Sequence, residues 1–287
     1  MSAALRRRGL DWLLNGYGLL ALVYLLVPIA VIVVFSFNDP VGRFNFLWNE
    51  FSLDAWKHPF AVQGVGDALK TSLEIAAMST VIATALGTLT ALALVRYEFK
   101  GRGPVNFFIF IPLATPEVVL GAALLSQFLN WGSPQLGFAT ILIAHVMFNL
   151  SFVVITVRSR LIGFDRSLEE AAQDLGATPW ETFRLVTLPL IMPGVISAAL
   201  LAFALSIDDF VITYFNNGST ITFPLFIWGA ARVAIPPQIY VIATMIFLFT
   251  VAAMVITVFQ QRRAEKMAEV RPDEPATGPL VADGSPA

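Results

Sequence analysis

The chain has 287 residues, of which 57% are hydrophobic and only 13% charged; it contains 24 Phe, and its mean hydropathy is +0.74. That composition excludes an ordinary soluble domain and calls for a membrane protein. The net charge of −2 says little as a total, because orientation is set by how Lys and Arg distribute between spans, and the absence of Cys excludes disulfides, thiolate metal sites and Cys nucleophiles.

Crossing about 30 Å of hydrocarbon takes about 20 helical residues. Six apolar runs of that length are predicted, near 17–37, 69–95, 105–129, 137–157, 188–213 and 239–260. They make residues 1–260 one transmembrane domain with an all-α fold.

Arg6, Arg7 and Arg8 precede the first run. The run is too long for a secretory signal and no Ala-x-Ala site follows it, so a retained signal anchor is expected. Trp56, in the stretch Leu53-Asp54-Ala55-Trp56 after it, is suited either to stacking on a cation or to anchoring at the headgroup level. Gly64 to Thr71 comes close to a phosphate loop but has Leu69 where the second Gly is required, so ATP hydrolysis is assigned to another chain. Glu74 lies near the outer end of the second run, with Lys70 four residues before it.

Pro112 and Pro116 each remove a backbone hydrogen bond from the third run, and a kink there would aim Glu117 inward. His145 lies inside the fourth run, far from His58 and without a neighbouring ligand pattern, so a hydrogen bond to another helix is expected and a metal site is not. Carboxylates within a span cost about 2.5–3.5 kcal/mol on insertion scales and are functional hypotheses by default. Asp208 and Asp209 end the fifth run, and neither they nor Glu117 has a cationic partner within helical reach. Ser206, Asp209 and Thr213 recur at i, i+3 and i+7, a polar stripe suited to a translocation path.

Between the fourth and fifth runs, residues 158–187 hold Ser167-Leu168-Glu169-Glu170, with the Ser-x-x-Glu form of a capping box, and Gly176 as a left-handed stop. Thr178-Pro179-Trp180-Glu181 restarts a helix with a second capping box. Helix, turn, helix is the expected order, and Ala171 and Ala172 leave one side of the first helix open to close approach by another protein. After Phe259 the composition turns to charge, Pro, Ala and Gly, so residues 261–287 are expected to be a disordered tail. Of the 18 Lys and Arg, all but Arg43, Lys57, Lys70 and Arg232 fall on one side of this arrangement, which puts both termini and the 158–187 loop in the cytoplasm.

Glu170-Ala171-Ala172, three residues, Gly176, nine residues, then Val186-Thr187-Leu188-Pro189 resembles the EAA loop of bacterial ABC-importer permeases, with Val186 where Ile is usual. The resemblance covers almost the whole length, and implies a type I ABC importer permease of the bacterial inner membrane. Thr115-Pro116-Glu117-Val118-Val119, Ala204 to Val211 and Phe223-Pro224-Leu225 narrow it to the spermidine/putrescine permease family, and to the second of its two permease subunits. Gln238 after Pro236-Pro237 departs from the Glu that is common there.

The resemblance implies ATPase coupling through Glu170, Ala171, Ala172 and Gly176, and a translocation path involving Trp56, Glu117, Ser206, Asp208 and Asp209. It also implies a second permease, a pair of ATPase subunits carrying the ATP and Mg, and an external substrate-binding protein, all within membrane lipid and without nucleic acid. No cofactor is expected on this chain, and no catalysis. The alternatives are an importer of the same build for ferric iron, a phosphonate or an amine-bearing osmolyte, and, from another class, a secondary transporter or channel without an ATPase. An anionic solute would call for Arg or Lys inside the spans, where only Lys70 occurs at an edge. A secondary transporter would call for inverted repeats or broken helices at matched positions, which the sequence does not display.

Overall fold

A computed structural model describes residues 3–131, 135–163 and 165–269. Among these the chain is helical apart from one two-stranded ribbon, and it divides into two compact units.

The first unit comprises Met1–Ala61 and Pro236–Ala287. Helix α1 (Ala3–Phe35) carries an apolar stretch, Trp12–Phe35, that is left uncovered by protein, as suits a helix facing lipid or a partner. The chain then turns through β1 (Asn38–Asp39), β2 (Glu50–Phe51) and the one-turn α2 (Asp54–Lys57). Buried asparagines hold this loop together. Asn38 Nδ2 donates to Asn45 Oδ1 at 2.6 Å and to the Leu47 carbonyl at 2.8 Å, and Asn45 Nδ2 donates to the Phe35 carbonyl at 2.8 Å. Helix α12 (Pro237–Glu269) packs beside α1 and ties to the loop through Tyr240, whose hydroxyl donates to the Asn45 carbonyl at 3.1 Å. The tail expected from residue 261 therefore starts as a continuation of α12, and residues 270–287 lie outside the described residues.

The second unit, Val62–Ile235, is built on α3 (Val65–Arg96), α6 (Phe138–Ile162) and α9 (Leu188–Asp208). Without a hydrophobic driving force between helices in lipid, small residues that let backbones approach do the packing. Ala83, Ala91, Ala198 and Ala202 are all fully buried in the seam of these three helices, with Val153, Val154 and Val157 between them. At Gly87 a Cβ would stand 2.5 Å from Val153 Cγ1, so the approach of α3 to α6 depends on a glycine there.

The third expected span is two helices, α4 (Arg102–Ala114) and α5 (Glu117–Asn130), bent by 114° at Thr115-Pro116. The extended backbone of both break residues makes this sharper than a proline kink within one helix. The fifth expected span also differs. One helical run starts at α8 (Pro179–Thr182), passes through a wide π turn at Phe183–Thr187 into α9, and stops at Asp208, so residues 211–213 belong to a separate α10 (Val211–Asn216). Helix α10 lies against α5 and α6, and α11 (Phe223–Val233) against α3, where the Phe223 N–H donates to Ser72 Oγ at 2.8 Å. Among the described residues four helices are long and apolar enough to cross a membrane, five when α4 and α5 count as one broken span. The apolar stretch Pro237–Ala252 of α12 takes the place of the sixth, so a count of six is compatible with the fold.

Candidate functional site

Two groups of the residues expected to act fall within the second unit, one on a hairpin and one inside the helix bundle.

The hairpin is α7 (Ser167–Asp174), a turn, and α8. Its second half forms as the sequence dictates. Thr178 is the N-cap and Pro179 the first helical residue; the Glu181 N–H donates to Thr178 Oγ1 at 3.3 Å, and Glu181 Oε2 accepts from the Thr178 N–H and hydroxyl, each at 2.8 Å. Those two donors hold the exposed Glu181 carboxyl below its usual range, the backbone N–H more than the hydroxyl. Gly176 takes φ +92 and stops α7 in the left-handed region.

The first half starts differently. Ser167 is the first residue of α7 rather than its N-cap, because the Asp165 carboxylate two residues earlier accepts the Ser167 N–H at 2.9 Å. That bond holds the Asp165 carboxyl below its usual range. Glu170, released from capping, lies exposed at the surface, 3.6 Å from Arg166 one turn back. No residue of α7 is buried. Beside Glu170 the hairpin presents Ala171 and Gly176 to the outside, along with Leu175 at 89% and Trp180 at 66% exposure. A surface of this kind, apolar side chains around one carboxylate and two small residues, is made for a protein partner.

The opposite face of the hairpin is attached to the bundle by Glu169, a residue the sequence did not single out. Its Oε1 lies 3.1 Å from Arg96 Nη2, at the end of α3, and accepts from Thr187 Oγ1, at the end of the π turn, at 2.6 Å. A cleft of about 520 Å³ opens beside this junction, lined by Tyr97, Arg166, Gln173, Trp180 and Phe183 among others.

In the bundle, the expected stripe Ser206, Asp209, Thr213 is formed, and it faces α6 rather than the outside. His145 meets all three residues. Its Nδ1 is 2.7 Å from Ser206 Oγ, and its Nε2 is 3.2 Å from Asp209 Oδ2 and 2.9 Å from Thr213 Oγ1. Ser79 on α3 joins from the far side, 3.0 Å from Ser206 Oγ. All five side chains are buried, Asp209 to 7% exposure and His145 to 3%. Asp209 also accepts from the Ile212 N–H at 3.3 Å and the Thr213 N–H at 2.8 Å, and so satisfies two N–H groups in the first turn of α10. The imidazole that partners Asp209 is out of helical reach in the sequence and comes from another helix, which only tertiary structure reveals.

The remaining expected residues stay separate from this cluster. Asp208, the last residue of α9, is exposed, and so is Glu117 at the first position of α5, where the helix N-terminus favours a negative charge. Glu74 pairs with Lys70 at 3.8 Å on the surface. Trp56, in the first unit, stacks on Phe37 with ring centroids 5.2 Å apart and donates from Nε1 to Ser36 Oγ at 3.2 Å, so one face and the N–H are already occupied.

A bundle of apolar helices with one span broken at Thr115-Pro116, and a capped, exposed hairpin between its fourth and fifth spans, defines the permease of a type I ABC importer. The chain belongs to the family described as the binding-protein-dependent transport system inner membrane component, which matches residues 83–266. It is 36% identical over 247 residues to the spermidine/putrescine transport system permease protein PotC of Haemophilus influenzae, covering 86% of this chain and 95% of that one. It is 37% identical over 256 residues to the putrescine transport system permease protein PotI of Escherichia coli strain K12, covering 86% and 90%. Its fold is similar to that of a crystallised bacterial ABC transporter involved in the import of the acidic polysaccharide alginate, with a TM-score of 0.63 at 18% identity over 91% of this chain and 98% of that one. An amino acid ABC transporter crystallised with histidines gives a TM-score of 0.56 at 18% identity, over 74% and 100%. The chain is thus a multi-pass transport subunit of the inner membrane and not an enzyme.

Proposed function

We propose that this chain is one permease subunit of an ATP-driven importer of polyamines, with spermidine and putrescine as its solutes. The observation that carries this reading is 36–37% identity, over 86% of the chain, to permeases named for those two solutes. Chemistry supports the same choice. Asp208 at the end of α9 and Glu117 at the start of α5 are carboxylates, both exposed and so able to meet a cation, while Lys70, at the edge of its span, is paired with Glu74. Asp209 and Ser206 stand behind Asp208 in the polar seam, and Trp56 serves the outer loop as an anchor.

The hairpin faces the cytoplasm in this reading, as do both termini, and Glu170, Ala171, Ala172 and Gly176 form the contact with a partner ATPase. ATP and Mg²⁺ belong to that partner, present as a pair. A second, related permease completes the path, and an external binding protein delivers the solute. Transport then proceeds by alternating access, which requires the ATPase to bind the two states of the permease with different affinity, so that its closure pulls on the hairpin and shifts α3 and α9 with it.

The test is uptake of labelled spermidine and putrescine into vesicles holding both permeases and the ATPase, with the binding protein outside and ATP inside. ATP-dependent uptake that competing polyamine abolishes supports the reading. Uptake that survives removal of the ATPase would favour a secondary transporter, and ATP-dependent uptake of ferric iron, a phosphonate or an amine-bearing osmolyte instead would move the chain to another solute.

A further inference from the structure

A histidine buried to 3% exposure, with both ring nitrogens in contact with side chains of another helical segment, is a polar feature of the bundle without a role in the transport scheme above. Its partners straddle a break. Ser206 lies in the last turn of α9, Asp209 in the two-residue interruption, and Thr213 in the first turns of α10. The three are held by one imidazole projecting from the first third of α6, a helix that itself runs unbroken from Phe138 to Ile162.

The proton inventory shows how tightly this is arranged. Thr213 Oγ1 gives its hydrogen to Asp209 Oδ2 at 2.8 Å, so toward His145 it has only a lone pair to offer, and Nε2 must carry a hydrogen. With Nδ1 bare, Ser206 donates to it and Ser79 donates to Ser206. With Nδ1 protonated, the chain runs the other way, from His145 to Ser206 to Ser79 and on to the Ala76 carbonyl at 3.2 Å. Both arrangements satisfy every member, so the cluster closes in either protonation state, and its function is geometric.

What the geometry fixes is the direction of Asp208. Asp209 has left the helix with an extended backbone and turns its side chain inward to His145 and to the N–H groups of Ile212 and Thr213, while Asp208, the last residue of α9, stays exposed. We propose that His145 is a positioning residue for transport: by bridging Ser206, Asp209 and Thr213 it locks the α9–α10 break, and this presents Asp208 to the solute while Asp209 serves the break and not the cation. The role in transport rests on the polyamine reading; the lock itself does not.

The test exploits the absence of native Cys. Asp208→Cys is placed in the assembled complex, and its labelling rate with a small water-soluble thiol reagent is measured alone and with His145→Phe, Asp209→Asn or both. His145→Phe keeps an aromatic ring and removes all three polar contacts; His145→Gln retains an amide donor and serves as the conservative variant, and His145→Leu is the alternative if the Phe variant fails to assemble. Each of the two substitutions alone is expected to change the labelling rate by at least about fivefold, the scale of side chains sharing one network, and the double variant is expected to change it no further. His145→Gln is expected to recover much of the wild-type rate. An unchanged rate in His145→Phe, or in His145→Leu where that stands in for it, or independent effects of His145 and Asp209 that multiply, would overturn the lock.

A parallel arm measures polyamine uptake in chains that keep Asp208, with His145→Phe expected to lower the maximal rate and leave KM in place, and an equal rise in KM contradicting a positioning role. Absence of polyamine uptake by the wild-type complex would remove the solute reading and leave the labelling result standing.

Discussion

Arg96 and Glu169 meet at 3.1 Å with each side chain 13% exposed, one at the end of α3 and the other in the first turn of α7. Through the same carboxylate oxygen Thr187 ties in the start of α9. The hairpin therefore cannot move without pulling on two of the three helices that form the core of its unit, which is what a lever between an ATPase and a transport path requires. The neighbouring Glu170 points the other way and stays exposed.

Removing one member of a nearly buried ion pair costs about 3 kcal/mol when burial is complete and somewhat less here. Glu169→Ala is expected to lower the apparent Tm of the purified permease by several degrees and to uncouple ATP hydrolysis from uptake. The exchanged pair Arg96→Glu with Glu169→Arg is expected to recover part of both. Uptake per ATP hydrolysed is the quantity to follow; an unchanged ratio in Glu169→Ala would show that the hairpin transmits force by another route.

Gly176 has φ +92, and a Cβ added there would meet nothing within 4 Å, so a substitution strains the backbone without steric clash. Gly176→Val is expected to cost about 1–2 kcal/mol and to reset the angle between α7 and α8. Co-purification of the ATPase with the permeases is expected to fall in this variant, and to fall further in Ala171→Trp, where bulk is added at an exposed position of α7. Full recovery of the ATPase with both variants would move the contact elsewhere.

Asp165 and Glu181 both have carboxyls held below their ordinary range by hydrogen bonds from Ser167 and Thr178. A depressed value in the folded state means a contribution that is complete above the unfolded value, about 4, and is lost as pH falls through the folded one. The hairpin is therefore expected to loosen only in acid, below about pH 4. A nitroxide on Ala177→Cys reports this as a rise in mobility, and Thr178→Val, which removes the hydroxyl from the cap, is expected to shift the rise to higher pH.

Orientation is set by the Lys and Arg asymmetry and has a direct measurement. Ser167→Cys on the hairpin is expected to be labelled only from the cytoplasmic side, and Ser219→Cys between α10 and α11 only from outside. Labelling of Ser167→Cys from outside in sealed cells would reverse the chain in the membrane.

Features written in local sequence were legible. The cap at Thr178, the stop at Gly176, the Lys70–Glu74 pair and the apolar lengths of α1, α3 and α6 all follow from residues within a turn or two of one another. What was not legible depends on competition or on tertiary contact. Ser167 has the form of a cap, but Asp165 takes the Ser167 N–H that Glu170 would accept in a capping box. The two prolines of the third span announce a bend; that it is 114°, with both break residues extended, depends on how α4 and α5 pack. Charge and Pro content ended the last span at 260, yet good helix formers such as Gln261, Ala264, Glu265, Lys266 and Met267 carry α12 on to Glu269. His145 and Asp209 lie 64 positions apart, and no periodicity links them.

The claim that an exposed carboxylate path selects a polycation is tested most directly by uptake of labelled spermidine and putrescine in the reconstituted complex, normalised to permease level, for Asp208→Asn and Glu117→Gln. Both substitutions keep size and hydrogen bonding and remove only charge. The expected result is a loss of uptake of about tenfold in each, with assembly and ATPase binding intact, the scale of a charge interaction at an incompletely buried site. Wild-type uptake in both variants would contradict it.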